Sequence, residues 1–127
     1  MSAEQNQFSP DDLKKIDDAD DLHISPLRED GKTYGTPTWI WAVAVEGDLY
    51  VRAYNGVKSR WHQAAIKQKT GLIRAAGMIR EVSFEPVQGA LNKIIDEAYK
   101  KKYKSSPYLS SMISPRAEAA TVRIIPG

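Results

Sequence analysis

Tight glycine-containing turns divide much of this chain into short segments of strand character. They fall at residues 28–32, 46–48 and 76–77, and apolar and polar residues alternate beside them. Because a tight turn joins strands that run antiparallel, these segments predict hairpins within one antiparallel sheet. We expect six strands, at residues 22–24, 33–45, 49–54, 72–75, 78–85 and 121–125. So many strands with few helices favour a mainly β fold, a small closed or split barrel without exposed edges.

Three helices are expected around this sheet. The first begins after Ser9, because serine caps a helix and Pro10 suits the first helical position. The second begins near Ser59, and the third follows apolar residues at helical spacing from Leu91 to Tyr99. Residues 105–114 are expected to be a connector or a single helical turn. The 127 residues suit a single domain, 1–127, in which residues 1–8 form a loose start.

The composition excludes several kinds of chemistry. The chain has no cysteine and two histidines, so thiol catalysis, disulfides and an ordinary zinc site are not expected. The longest apolar run, residues 39–45, is far shorter than the roughly 20 residues that span a bilayer. The polar, acidic N-terminus does not look like a secretory signal. We therefore expect a cytoplasmic protein without a membrane partner.

Charge is distributed unevenly along the chain. Residues 1–31 hold nine acids and three bases, a net charge of −6, and residues 32–127 hold seven acids and fifteen bases, a net charge of +8. A basic body favours an anionic partner, such as a phosphate, a nucleotide cofactor or nucleic acid. Residues 1–31, an acidic arm, would compete with nucleic acid for the same basic surface. Nucleic acid is therefore the least favoured of these partners.

A phosphate cradle is one interpretation of residues 49–61. Arg52 lies on the polar face of a predicted strand, and Lys58, Ser59 and Arg60 stand at the predicted start of a helix. An anion is favoured by three kinds of hydrogen-bond donor in this segment: free N–H groups at a helix start, an arginine guanidinium and a hydroxyl. The alternative is that Arg52 pairs with an acid, Ser59 only caps the helix, and both other cations are solvated.

A flat aromatic ligand is one interpretation of residues 35–41. This segment places Thr36, Thr38 and two tryptophans, Trp39 among them, on a strand that must break or bulge at Pro37. The alternative is that the tryptophans belong to the core and the threonines are ordinary strand residues. No nucleophile elbow, phosphate-binding glycine loop or paired carboxylate adds a catalytic residue, so catalytic residues stay unassigned.

The chain resembles the FMN- and deazaflavin-binding split-barrel superfamily, which includes the pyridoxamine-phosphate-oxidase-like proteins. Within it, the chain looks most like a small bacterial family of unknown function. The resemblance spans residues 11–127 and rests on Thr36-Pro37-Thr38-Trp39, Gly47-Asp48-Leu49-Tyr50-Val51-Arg52, Ser59-Arg60-Trp61, Gly71-Leu72-Ile73-Arg74 and Val82-Ser83-Phe84-Glu85-Pro86. It implies a six-stranded antiparallel split barrel with N-terminal, middle and C-terminal helices.

The resemblance also implies a cofactor and its contacts. FMN or an F-420-type deazaflavin would be held at the interface of a homodimer. Arg52 would be the main phosphate anchor, assisted by Lys58, Ser59 and Arg60. The ring edge would be bound by Thr36 and Thr38, and Trp39 or Tyr54 would stack on its face. The substrate-holding residues of pyridoxamine-phosphate oxidases have no counterpart here.

Three functions follow from these observations. The first is a flavin- or deazaflavin-dependent oxidoreductase of unknown substrate, in which the cofactor carries the redox chemistry. The second is a non-catalytic module that binds a cofactor or nucleotide in the same barrel. The third and weakest is a nucleic-acid-binding barrel that stacks bases on Tyr50 or Tyr54.

Overall fold

A computed structural model describes residues 8–19 and 22–126 of the chain. The α-helices are α1 (Pro10–Asp18), α2 (Arg60–Gln68), α3 (Leu91–Lys102), α4 (Leu109–Met112) and α5 (Pro115–Glu118), and a 3-10 turn covers Gly56–Lys58. The strands are β1 (His23–Pro26), β2 (Thr38–Trp39), β3 (Ala42–Val45), β4 (Asp48–Arg52), β5 (Thr70–Ala75), β6 (Met78–Pro86) and β7 (Thr121–Pro126). The fold is therefore mainly β with helices, as the pattern of turns predicts.

All seven strands form one antiparallel sheet in the order β2-β1-β5-β6-β7-β4-β3. The two edge strands, β2 and β3, are nevertheless consecutive in the chain, with Ile40 and Trp41 between them. Three Cα–Cα steps of 3.8 Å can span at most about 11 Å. The sheet must therefore curl until its two edges approach each other, which makes it a half-barrel.

The expectation of six strands is corrected to seven. Residues 33–45 do not form one strand: Tyr34 makes an isolated bridge to Leu27, Trp39 pairs with His23 of β1, and Ala42–Val45 pairs with β4. The break falls where Pro37 requires one and where the chain crosses from one sheet edge to the other. Strands β2 and β3 therefore lie at opposite ends of the sheet.

Two apolar cores lie on opposite faces of strands β3 and β4. Ala42, Leu49 and Val51 belong to the core beneath α1 and α2, whereas the alternate residues Val43 and Tyr50 pack against α3 and α4. Side chains alternate between the two faces of a strand, so this division follows from the sequence of the strands themselves. This region of the sheet is therefore buried on both faces.

The outer edge of β3 is sealed by side chains from two helices. The Ala44 N–H donates to the Asp17 carboxylate of α1 at 2.9 Å. The Lys102 ammonium of α3 donates to the Ala42 carbonyl at 2.7 Å and to the Ala19 carbonyl at 3.0 Å. Backbone groups that a neighbouring strand would otherwise satisfy are thus paired within the chain.

The start of α1 forms as its sequence predicts. Ser9 is the N-cap residue, its hydroxyl accepts from the Asp12 N–H, and Pro10 occupies the first turn. The expectation of a loose start over residues 1–8 is corrected at Phe8, whose side chain is buried in the core and lies beneath the Arg80 guanidinium. Residues 1–7 lie outside the described part of the chain.

Candidate functional site

One cleft brings together most of the residues that the sequence singles out. It has a volume of about 640 Å³ and lies where the β2–β3 connection, the end of β4, the start of α2 and the start of α4 meet. We call it the aromatic cleft. It is lined by Thr38, Trp39, Ile40, Trp41, Arg52, Tyr54, Asn55, Ser59, Arg60, Trp61, Tyr108 and Met112.

All three tryptophans of the protein line this cleft. Trp39 is 54% exposed, whereas Trp41 and Trp61 are partly buried. The Trp41 ring stacks face to face on Tyr103, the C-cap residue of α3, with centroids 4.0 Å apart and planes 5° apart. The tryptophans therefore do not form the centre of the core; they make an aromatic wall that helix α3 supports from behind.

Tyr99 strengthens that support. Its hydroxyl donates to the Trp41 backbone carbonyl at 2.8 Å, and its ring lies 5.3 Å from the Arg52 guanidinium carbon. Burial raises the pKa of Tyr99 far above its ordinary value, so the hydroxyl stays a hydrogen-bond donor at every physiological pH. Both sides of the Trp41 residue, ring and backbone, are thus held by α3.

Arg52 is fully buried beneath the cleft, and protein groups use all five of its N–H donors. Its Nε donates to the Thr121 hydroxyl at 2.9 Å, and Nη2 donates to the Asn92 carbonyl and amide oxygens, both at 3.1 Å. Its Nη1 donates to the Asp96 carboxylate and, at 3.1 Å, to the Met112 carbonyl. This arginine joins β4, α3, α4 and β7.

The structure therefore gives Arg52 a different place from the main phosphate anchor that the resemblance implies. An arginine whose five donors are satisfied has none left for a ligand phosphate. The open alternative, an ion pair with an acid, is what the structure contains, and Asp96 is that acid. Arg52 contributes to the cleft as the support of its floor.

The other residues predicted to hold a phosphate, Lys58, Ser59 and Arg60, lie at the start of α2 and immediately before it. Ser59 is the N-cap residue but makes no side-chain cap hydrogen bond, so its hydroxyl is available at the cleft wall. Arg60 lines the cleft and Lys58 precedes it in the 3-10 turn; both are exposed. Within residues 8–19 and 22–126, neither cation forms an ion pair. Arg60 is thus the lining residue best placed to hold an anion.

Six of the eight predicted contact residues line the cleft. Thr38, Trp39, Arg52, Tyr54, Ser59 and Arg60 do so, whereas Thr36 and Lys58 do not. Thr36 instead lies on the exposed segment before β2, where its carbonyl accepts from the Thr38 hydroxyl at 3.4 Å.

The sequence missed the part of the wall that comes from residues 105–118. Tyr108 lines the cleft and meets the Tyr54 ring edge to face at 6.1 Å, and Met112 lies beside it. Arg116 of α5 holds its guanidinium carbon 5.7 Å from the centre of the Tyr54 ring. A connector rich in serine and proline carries no periodic signal, so its side chains gave no reason to expect a wall.

The described lining holds no carboxylate and no imidazole. One histidine, His62, follows Trp61 in α2 and contacts its ring. Burial lowers the pKa of His62 below 6.5, partly offset by a hydrogen bond to the Val57 backbone, so the ring is neutral near pH 7. Neither carboxylate nor imidazole, the side-chain groups most often used for proton transfer, therefore lines the described cleft.

In the described part of the chain, no three His, Cys, Asp or Glu side chains come together in a way that could hold a metal ion. Within residues 8–19 and 22–126, no helix has the length and apolar character needed to cross a membrane.

Fold and cleft together describe a curled antiparallel half-barrel with an aromatic cleft between its edges. The chain belongs to a family described as uncharacterised proteins conserved in bacteria (DUF2255), whose model matches residues 12–124. A search of curated proteins finds no match to it.

Solved structures share the fold. The chain is similar to the conserved hypothetical protein Rv2991 from Mycobacterium tuberculosis, with a TM-score of 0.56 and 11% identity. The alignment covers 98% of this chain and 83% of that one. At this identity the likeness concerns the fold alone.

Proposed function

We propose that the aromatic cleft binds a flat, phosphate-bearing redox cofactor, FMN or an F-420-type deazaflavin, and that the protein is an oxidoreductase. One observation carries this proposal: all three tryptophans, with Ser59 and Arg60, converge on a single cleft. A volume of about 640 Å³ lies within the range of ligand sites, roughly 300–1,000 Å³. Aromatic walls suit a planar ring, and an unpaired arginine suits a phosphate.

The side chains divide the work of binding. The Arg60 guanidinium donates hydrogen bonds to the phosphate, and the Ser59 hydroxyl and the free N–H groups at the start of α2 donate further ones. Thr38 hydrogen-bonds the ring edge, and Trp39 or Tyr54 covers a ring face. Trp41 is held by Tyr103 and Tyr99, so it forms a rigid wall rather than an adaptable one.

The cofactor supplies the hydride or electron chemistry when bound. The protein binds it, orients it and keeps water from part of its surface. A lining without carboxylate or imidazole agrees with this division, because no side chain is needed to move a proton in the cofactor's own step.

We further propose that the fold is a split barrel and that the protein works as a homodimer. The approach of β2 and β3 at residues 40–41 supports the first part, because it brings the open edges together beside the cleft. Trp39, Tyr54 and Tyr108 are 54%, 41% and 59% exposed, and apolar exposure of this kind is typical of an interface. Sedimentation equilibrium at micromolar concentration tests the dimer.

The binding experiment compares FMN with riboflavin, which lacks the phosphate. Quenching of tryptophan emission reports each affinity in the wild type, Arg60→Ala and Lys67→Ala. Lys67 is the matched control, an exposed cation of the same helix that lies outside the cleft. Loss of one charge-assisted contact lowers FMN affinity about tenfold or more.

Riboflavin affinity should stay unchanged in Arg60→Ala, and Lys67→Ala should behave as the wild type with both ligands. The F-420-type deazaflavin is titrated in parallel. If none of the ligands binds at micromolar concentration, the cofactor proposal is wrong.

A non-catalytic module that carries or stores a cofactor is the second candidate. The same lack of a carboxylate or an imidazole in the described lining favours it, because binding alone needs neither. Turnover of the reduced cofactor with an artificial electron acceptor separates the two candidates. Binding without turnover would assign the module, and turnover that Arg60→Ala slows would assign the enzyme.

A further inference from the structure

Arg116 on α5 is held at both ends of its side chain. Its stem lies so close to Gly56 that a Cβ on that glycine would stand 2.6 Å from Arg116 Cγ. Its guanidinium carbon lies 5.7 Å from the centre of the Tyr54 ring, which lines the aromatic cleft. A stem packed on glycine and a head placed over an aromatic ring fix the direction of the guanidinium in advance.

Among the residues that the structure describes, the Arg116 guanidinium forms no ion pair, not even with Glu118 two positions further along. Cation–π contact leaves the edge of the guanidinium plane, where the N–H donors lie, open to an acceptor. An exposed guanidinium that is held in place, and that pairs with no described carboxylate, can bind a carboxylate from outside the chain.

A second unpaired cation lies on the element that Arg116 contacts. Lys58 ends the 3-10 turn that Gly56 begins, and it is exposed without an ion pair in the described ranges. Residues 49–80 contain no Asp or Glu. Acids from elsewhere in the chain pair with three of the seven cations in this segment, Arg52, Lys67 and Arg80, but in the described ranges none pairs with Lys58.

We propose that Arg116 and Lys58 form a second anion-binding position at the lip of the aromatic cleft, distinct from Arg60. It takes the phosphate or carboxylate of a small anionic molecule that binds beside the cofactor as its reaction partner. Arg60 lines the cleft itself, whereas Arg116 meets the cleft through Tyr54 and belongs to a different helix. The role as reaction partner rests on the proposed function, while anion binding at this position does not.

Inorganic pyrophosphate is the probe, titrated into the full chain and followed by the NMR signals of the Arg116 side-chain Nε–H and the Gly56 amide. Arg116→Gln should weaken binding about tenfold, the loss of one exposed charge-assisted contact. Arg116→Lys should recover part of the affinity because it keeps the charge. Arg74→Gln is the matched control, since Arg74 is exposed, forms no ion pair in the described part of the chain and lies outside the cleft.

A repeat of the titration with saturating FMN distinguishes the source of the anion. Continued pyrophosphate binding, with Arg60→Ala changing it less than Arg116→Gln does, supports a separate position. Competition between pyrophosphate and FMN, or equal affinity in Arg116→Gln and the wild type, overturns it. The titration without FMN stands on its own, so failure of the cofactor proposal would be seen separately.

Discussion

Two arginines eight residues apart show how differently one side chain is used in this protein. Arg52 ends β4 with no solvent exposure and with five N–H donors paired to four residues. Arg60 begins α2, is exposed and pairs with no acid in the described part of the chain. A buried cation must be satisfied by the protein that buries it. An exposed cation that lines a cleft and pairs with no described acid can instead bind a ligand.

The largest effect is expected from removing the buried arginine. Arg52→Met leaves the Asp96 carboxylate without its cation and removes the donor that Arg52 supplies to the Asn92 and Met112 backbone carbonyls. Breaking one side of such a buried pair costs about 3–5 kcal/mol of the free energy of unfolding, measured by urea denaturation. The double variant Arg52→Met/Asp96→Leu should recover part of the loss, because it removes the orphaned charge as well.

If Arg52→Met instead kept its stability and lost only FMN affinity, Arg52 would be a ligand contact after all. That outcome would remove the contrast between the two arginines.

A smaller effect is expected where Gly56 meets Arg116. Gly56 has a φ of +80°, and a Cβ there would press on Arg116 Cγ at 2.6 Å. Gly56→Ala should cost about 1 kcal/mol for the left-handed backbone and a further amount for the clash. Gly77→Ala is the control, because Gly77 has a φ of +78° and nothing within 4 Å of its Cβ position.

Chemical denaturation of both variants isolates the clash as their difference. An Arg116→Ala background should remove that difference. If the two alanine variants lose equal stability with Arg116 in place, the stem of Arg116 is not pinned by Gly56.

A modest pH effect is expected from His62. Burial lowers its pKa in the folded state below 6.5, whereas the unfolded chain keeps the ordinary value. The unfolded state therefore takes up the proton first as the pH falls. The contribution of His62 is fully present above about pH 6.5 and is lost as the pH drops through that value.

Urea midpoints at pH 7.5 and pH 5.5 measure this effect. The wild type should lose more stability between the two conditions than His62→Gln does. An equal loss in both proteins would mean that His62 is not buried in its neutral form.

The smallest change in stability is expected for Arg60→Ala, within about 0.5 kcal/mol of the wild type, because the side chain is exposed and unpaired. The same variant should show the clear loss of FMN affinity described above. Thermal unfolding without ligand checks the first half of this statement. A large destabilisation would mean that Arg60, like Arg52, supports the fold.

Local signals in the sequence were sufficient for much of the fold. Three elements that depend on neighbouring residues form as expected: the helix start at Ser9-Pro10, helix α2 and the hairpin at Ala76–Gly77. In that hairpin, both turn residues have a positive φ. The sequence predicts one strand over residues 33–45, whereas the structure forms two, β2 and β3, from this segment. These two strands lie at opposite ends of the sheet. Nothing local shows that Trp39 and Val43 belong to opposite edges.

The candidate site was predictable in its members but not in their roles. Thr38, Trp39, Tyr54, Ser59 and Arg60 line one cleft, as the pattern and the resemblance suggested. The role of Arg52 depends on Asp96, which lies 44 residues further along the chain, so spacing could not distinguish an anchor from an ion pair. Contacts over such separations are set by the closure of the whole sheet.

The sealed edge of β3 has a consequence for how this protein behaves in concentrated solution. Ala42-Val43-Ala44-Val45 is a short, uncharged segment of the kind that adds readily to a strand of another molecule. Asp17 and Lys102 occupy the backbone groups that such an addition would use. Fraying of either helix terminus would thus free the Ala44 N–H or the Ala42 carbonyl to pair with a strand of another molecule, although the two side chains that hold these groups lie 85 residues apart in the sequence.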